Sequence, residues 1–167
     1  LSYEFRRRGA AGHAYTPIVA GGANACILHY VENNRLLAGH SLVLIDAGCE
    51  LDGYASDITR TFPVSGRFSP EQREVYQIVL AAQQAAIDAV RPGASFMDYH
   101  QAALRVLSQG LIDLRLIAGS VDGAIESEAY KPWYMHRTGH WLGLDVHDVG
   151  EYRTGSGAKY SAVGPQR

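Results

Sequence analysis

The sequence predicts an α+β fold, with helices packed on one side of an antiparallel sheet. Three observations carry that expectation. Residues 12–63 hold short apolar runs separated by glycine and asparagine turns. Residues 69–110 hold apolar positions at helical spacing. Strand and turn chemistry then returns in "HWLGLDVHDVG", residues 140–150.

Taken in order, "GHAYTPIVAGGANACILHY" reads as strand, turn, strand about Gly21-Gly22, with His29 near the end of the second run. Asn33-Asn34 mark another turn. "SLVLIDAG" reads as a buried strand, and "ASDITRTFPV" alternates like a half-buried one. Ser69 can cap a helix, Pro70 suits its first position and Gln72 completes a capping box. Val75, Ile78, Val79, Ala82, Ala86 and Ala89 form its apolar stripe, and Arg91-Pro92-Gly93 ends it. Ser95 is expected to cap a second helix with Phe96, Tyr99, Ala103, Val106 and Leu107 facing inward and Gly110 stopping or bending it. A shorter third helix is expected around Val121 to Glu128.

With 167 residues, one domain is the default, and the chain is long enough for a real core. Residues 1–152 are expected to form it, and the Gly/Ser/Ala-rich end, residues 153–167, to be a flexible tail. A hydrophobic content of 47% with a net charge of −2 fits a soluble globular protein and argues against nucleic acid as a partner. The basic run Arg6-Arg7-Arg8 is local and reads as a solvated face. No apolar run approaches the roughly 20 residues needed to cross a bilayer, so no membrane role is expected. Cys26 and Cys49 have no metal or redox spacing and read as reduced thiols of a cytoplasmic protein. The chain begins with Leu1, which suggests a piece of something longer.

Two acids stand where a core should be. Asp46 ends an apolar run, and Asp57 sits in the next strand-like run. If Glu50 to Gly53 form a hairpin loop, Asp46 faces Asp57 across the strands, about 4.5–5.5 Å apart at Cβ. Leu42, Leu44 and Asp46 would share a face with Asp57, Thr59 and Thr61. Two like charges there need a bound proton, a basic residue or a divalent cation between them. The bland alternative has Asp46 capping the Ala47-Gly48 turn and Asp57 pairing with Arg60 or Arg35. Late in the chain "YMHRTGHWLGLDVHDVG" supplies His136, His140 and His147, and His29 is a fourth imidazole. His136 and His140 have the four-residue spacing of helical ligands, but Thr138 and Gly139 between them favour a loop. Carboxylates with imidazole suit manganese, zinc or cobalt, and together they suggest metal-assisted hydrolysis.

The blocks "ANACILHY", "LVLIDAGCELDGYASDITRTFPVSGRFSPEQREVYQIVL" and "MHRTGHWLGLDVHDVG" resemble the catalytic domain of the Xaa-Pro aminopeptidases, in the pita-bread metallopeptidase superfamily. The resemblance runs from about Tyr3 to Gly150. It implies a pita-bread fold and removal of the first residue from peptides with proline second. It also implies two divalent ions, usually manganese, with zinc or cobalt as alternatives. By position, Asp46 looks like the ligand of one metal, Asp57 like the bridging acid and His140 like the imidazole ligand of the second. His29 resembles the histidine near the scissile carbonyl, and His147 the one that hydrogen-bonds substrate and steadies the intermediate. His136 resembles the histidine lining the pocket for the penultimate proline.

The family's last two ligands are glutamates beyond the third histidine block, one after a Pro-Gly turn and one in a final strand. Neither block is present, and Glu151 is in the wrong context. The resemblance therefore implies a catalytic domain lacking its last strands, through truncation, frameshift or an artificial end. Such a chain is expected to bind metal weakly and to have little or no activity alone. A prolidase, a non-catalytic pita-bread module binding peptides or proteins, and a metal-free structural domain are the competing expectations. The family also implies a possible homo-oligomer.

Overall fold

The computed structural model of the chain describes residues 1–150. The expectation for the tail, residues 153–167, lies outside the described residues. The described chain forms two compact units. One comprises residues 1–68 and 141–150, the other residues 69–140.

The first unit opens with α1 (Ser2–Arg7), whose Glu4 accepts from Arg7 at 2.9 Å and Arg8 at 3.4 Å on an exposed face. Strands β1 (Gly12–His13), β2 (Ile18–Gly21), β3 (Leu42–Ala47), β4 (Cys49–Leu51), β5 (Tyr54–Ala55) and β6 (Ile58–Pro63) follow. They form two antiparallel three-stranded sheets, ordered β2-β3-β6 and β1-β4-β5.

One hairpin runs through both sheets. Leu42 pairs with Pro63, Ala47 with Ile58, Glu50 with Ala55 and Leu51 with Tyr54, all in one unbroken register. The reversal is therefore the two residues Asp52-Gly53, both at positive φ (51° and 85°). That is the conformation of a type I′ turn, whose twist matches the flanking strands and which Asp-Gly adopts at low cost. The four-residue loop expected over Glu50–Gly53 is corrected accordingly. Gly53→Ala is expected to cost about 1–2 kcal/mol in urea unfolding, because a Cβ at positive φ meets the carbonyl oxygen. A cost below a few tenths would show that this turn does not set the register.

Ile18, Ala20 and Tyr30 form the core of this unit, with Ala25 and Leu44 against them. The run after Gly22 is not the expected second strand. Gly22 takes φ 58° and opens a 3-10 helix over Gly22–Cys26, and His29 itself has φ 57°. "HWLGLDVHDVG" also differs from expectation, with bends in place of a strand.

The second unit is helical, with α2 (Pro70–Ala89), α3 (Asp98–Asp113) and α4 (Val121–Glu126). The capping box forms as expected. Ser69 Oγ accepts from the Gln72 amide at 3.2 Å, and Gln72 Oε1 from the Ser69 amide at 3.0 Å. Ala82, Ala86 and Ala103 form the α2–α3 core with Tyr99, Val106 and Leu107 beside them. Only part of the expected α2 stripe is inside, since Val75 and Val79 are about half exposed.

Ser95 stands before α3 and does not cap it directly. Its amide donates to Asp98 Oδ2 at 2.8 Å while its hydroxyl takes the Met97 amide. Gly110 does not end the helix either. It is buried within α3, where a Cβ would lie 2.4 Å from Ile78, so its bareness is what lets α2 and α3 approach. Among the described residues no helix is long and apolar enough to cross a membrane.

Candidate metal centre

The register decides where the two acids meet. Asp46 in β3 lies opposite Thr59, not opposite Asp57. Asp57 is two residues further toward the turn. Side-chain parity is unchanged by a shift of two, so both acids keep the face shared by Leu44, Thr59 and Thr61. Ile18 and Ala20 of β2 pair with Asp46 and Leu44, so this is also the face of the apolar core.

Tyr15 joins the acids. Its hydroxyl donates to Asp46 Oδ1 and lies 3.0 Å from Asp57 Oδ1. The segment that carries it, a bend just after β1, is clamped to the hairpin, with the Ala11 amide on the Glu50 carbonyl at 2.9 Å and the Ala14 amide on the Gly48 carbonyl at 3.0 Å. Gly48 makes room for the ring. A Cβ there would lie 2.9 Å from Tyr15 Cε1 and 1.6 Å from the Ser56 carbonyl oxygen. No local pattern in the sequence marks Tyr15, because its role depends on β1 pairing with β4, far along the chain.

The electrostatics follow from burial. Partial burial raises the Asp46 carboxyl above its ordinary value, and the neighbouring charge of Asp57 raises it further, while donation from Tyr15 and Thr59 pulls it back. Burial, then the two carboxylates, push the Tyr15 hydroxyl far above its usual range, so it stays protonated and acts only as a donor to them.

One tyrosine proton cannot satisfy two carboxylates. Two carboxylates side by side on a half-buried face repel one another, a setting a divalent cation would relieve. The donor set fits a hard or borderline ion such as manganese. Among the described residues of this unit, no three His, Cys, Asp or Glu side chains group as a metal site. The acids supply two ligand groups rather than a cage.

His29 and His147 also meet in the first unit, their rings edge to face with centroids 6.2 Å apart. His147 rides on a loop organised by Asp148, whose carboxylate accepts from the Leu144 amide at 2.9 Å and the Val149 amide at 2.8 Å. The Gly143 carbonyl of that loop takes the Ala55 amide at 2.8 Å, which ties the loop to the hairpin. Gly143 leaves room for the carboxylate, since a Cβ there would be 2.2 Å from Asp148 Oδ2. His136 and His140 belong to the second unit, both exposed on an irregular segment rather than a helix. His136 Nδ1 lies 2.7 Å from the Arg137 carbonyl, which can only accept. That nitrogen therefore carries a proton and donates it to the carbonyl.

The family model of metallopeptidase family M24 matches residues 1–163. The Xaa-Pro aminopeptidase of Haemophilus influenzae is 57% identical over 152 residues, 91% of this chain and 35% of that protein. The Xaa-Pro aminopeptidase of Escherichia coli is 49% identical over 152 residues, 91% of this chain and 34% of its own length. Among solved structures, aminopeptidase PepP of Pseudomonas aeruginosa superposes with a TM-score of 0.89 at 59% identity, over 92% of this chain and 35% of that one. A zinc-substituted E. coli aminopeptidase P in complex with product superposes with a TM-score of 0.87 at 49% identity, over 90% and 34%. The fold is thus the pita-bread α+β fold expected from the sequence. The chain spans about a third of the length of the curated relatives it matches.

Proposed function

Because the chain belongs to metallopeptidase family M24, we propose that it carries the carboxylate part of an Xaa-Pro aminopeptidase centre, which removes the first residue from peptides with proline second. The observation that carries this reading is the convergence of Asp46 and Asp57 on the hydroxyl of Tyr15. Relatives about three times as long bear the name Xaa-Pro aminopeptidase.

In this reading Asp46 and Asp57 would serve as carboxylate ligands, and His140 as an imidazole ligand, of two divalent ions, manganese first and zinc or cobalt as alternatives. When bound, the ions polarise the peptide carbonyl and activate water. The chain's own residues do the rest. Tyr15 holds the carboxylates in place through its hydroxyl, which donates to Asp46 and lies against Asp57. His29 and His147, already ring against ring, offer N–H donors to the oxygen on which charge develops. His136 lines the pocket for proline, whose tertiary amide lacks an N–H and must be recognised by shape. A cytoplasmic location, a peptide substrate and assembly into a homo-oligomer belong to the same proposal.

Paramagnetic broadening by Mn²⁺ tests it on the chain itself. Signals of Asp46, Asp57 and Tyr15 are expected to broaden first, at millimolar ion, since two carboxylates from one unit hold an ion weakly. Uniform broadening across exposed acids would sink the reading. With Mn²⁺ present, slow release of the first residue from an Xaa-Pro-Xaa tripeptide, in preference to an Xaa-Pro dipeptide, separates the aminopeptidase from a prolidase.

A further inference from the structure

His100 has no part in the chemistry above, yet it is the most buried imidazole described, 8% exposed in α3. Its Nδ1 lies 2.9 Å from Thr138 Oγ1. Thr138 Oγ1 is also 2.6 Å from the Tyr134 hydroxyl, and the Tyr134 ring stacks on His100 with centroids 5.9 Å apart at 29°. Two neighbours on the same stretch of chain grip the same segment. Arg137 donates to Met97 Sδ, and Gly139 sits so close to Tyr99 that a Cβ would lie 3.4 Å from its ring.

The gripped segment, 134–140, has no regular secondary structure to fix its shape. Its half-buried residues, Tyr134, Arg137, Thr138 and Gly139, make these contacts, while His136 and His140 are exposed. Tyr134 also meets the His136 ring, centroids 5.3 Å apart. A segment without a backbone ladder takes its conformation from side-chain anchors, and Thr138 is the atom-level link between the anchor and the two exposed imidazoles.

We propose that His100 is a positioning residue, which through Thr138 holds segment 134–140 in the shape that presents His136 and His140. The functional weight of those two imidazoles rests on the aminopeptidase reading; the clamp itself does not. Burial, then the positive charge of Arg137 and the neighbouring His136, hold His100 below the usual imidazole range. It is therefore neutral at pH 7, as suits a fixed hydrogen-bonding anchor.

The test uses the whole chain and four variants, His100→Phe, His100→Asn, Thr138→Val and the Phe/Val double. Amide exchange of residues 138–140 and the ring carbon–proton signals of His136 and His140 are followed by NMR. His100→Phe keeps a ring against Tyr134 and removes the bond. It is expected to speed exchange at 138–140 about five- to tenfold and to shift both ring signals, with protection at Ala82 and Leu104 unchanged. Thr138→Val is expected to reproduce this, and the double to add little, because the two residues act through one contact. His100→Asn, whose amide can occupy the place of Nδ1, is expected to restore the parent signals. Unshifted ring signals in both single variants, or effects that simply add, would overturn the proposal. Should His100→Phe fail to fold, Thr138→Val and His100→Asn decide it alone. Failure of the aminopeptidase reading would show in the Mn²⁺ experiment and leave these signals as described.

Discussion

Replacing Asp46 with asparagine is expected to stabilise the ion-free chain at pH 8 and to remove its response to a divalent cation. The two effects have opposite signs because one carboxylate serves two states. Without an ion, Asp46 is a half-buried charge beside Asp57, and burial followed by that charge raises its carboxyl. A raised value means that the folded chain holds more protons than the unfolded one just above the ordinary carboxylate range. The contribution of Asp46 therefore favours the fold at acid pH and is lost as pH rises through the raised value. Asparagine does not titrate, so the gap between variant and parent should widen with pH. By pH 8 it should reach on the order of 1 kcal/mol, the scale of a like-charge pair relieved on one sheet face. Urea unfolding at several pH values reads this directly. With an ion, the same substitution deletes a ligand. Losing an outer hydrogen-bond partner of a metal costs roughly 10–100-fold in affinity, so losing a ligand should exceed about 100-fold. An asparagine variant that is less stable at pH 8, or that keeps the Mn²⁺ broadening at Asp57, would show that the acids do not act as a pair.

The sequence made the shared face of these acids legible and their register illegible. Parity along two strands places Asp46, Asp57, Thr59 and Thr61 on one side whichever even shift applies. The register needed the turn, and Asp52-Gly53 is the strongest short hairpin signal in the chain. Treating Glu50 to Gly53 as the loop moved the partner of Asp46 by two positions. The α2 capping box was legible for the opposite reason: Ser69, Pro70 and Gln72 are close neighbours in sequence, and nothing distant competes with them. Gly110 misled because a glycine in a helix reads as a stop, whereas here it answers Ile78 on another helix. "HWLGLDVHDVG" has the apolar content of a strand, but Asp148 takes two backbone amides with its carboxylate and closes a loop instead. His136 and His140 belong to one unit and His29 and His147 to the other, a division that their spacing in the sequence does not mark.

Tyr15→Phe carries the argument to its least visible part. Phenylalanine keeps the ring over Gly48 and takes away only the hydroxyl, so packing is held constant while the shared donor disappears. The ion-free chain should then lose about 1.5–3 kcal/mol at neutral pH, the usual worth of a hydrogen bond to a charged group. The Asp46 carboxyl should rise further, because donation from Tyr15 is what pulls it down against burial. A carbon-detected titration of the Asp46 carboxyl reads that movement without reference to activity. Divalent affinity should fall roughly 10–100-fold, since the carboxylates lose the contact that orients them. The affinity loss and the rise at Asp46 should appear together, because both express how tightly one proton on Tyr15 ties two acids. If the carboxyl stays where it is while affinity falls, Tyr15 touches the ion's surroundings by some route other than Asp46. If both stay where they are, the hydroxyl is a bystander, and the two acids keep their geometry from the strands alone.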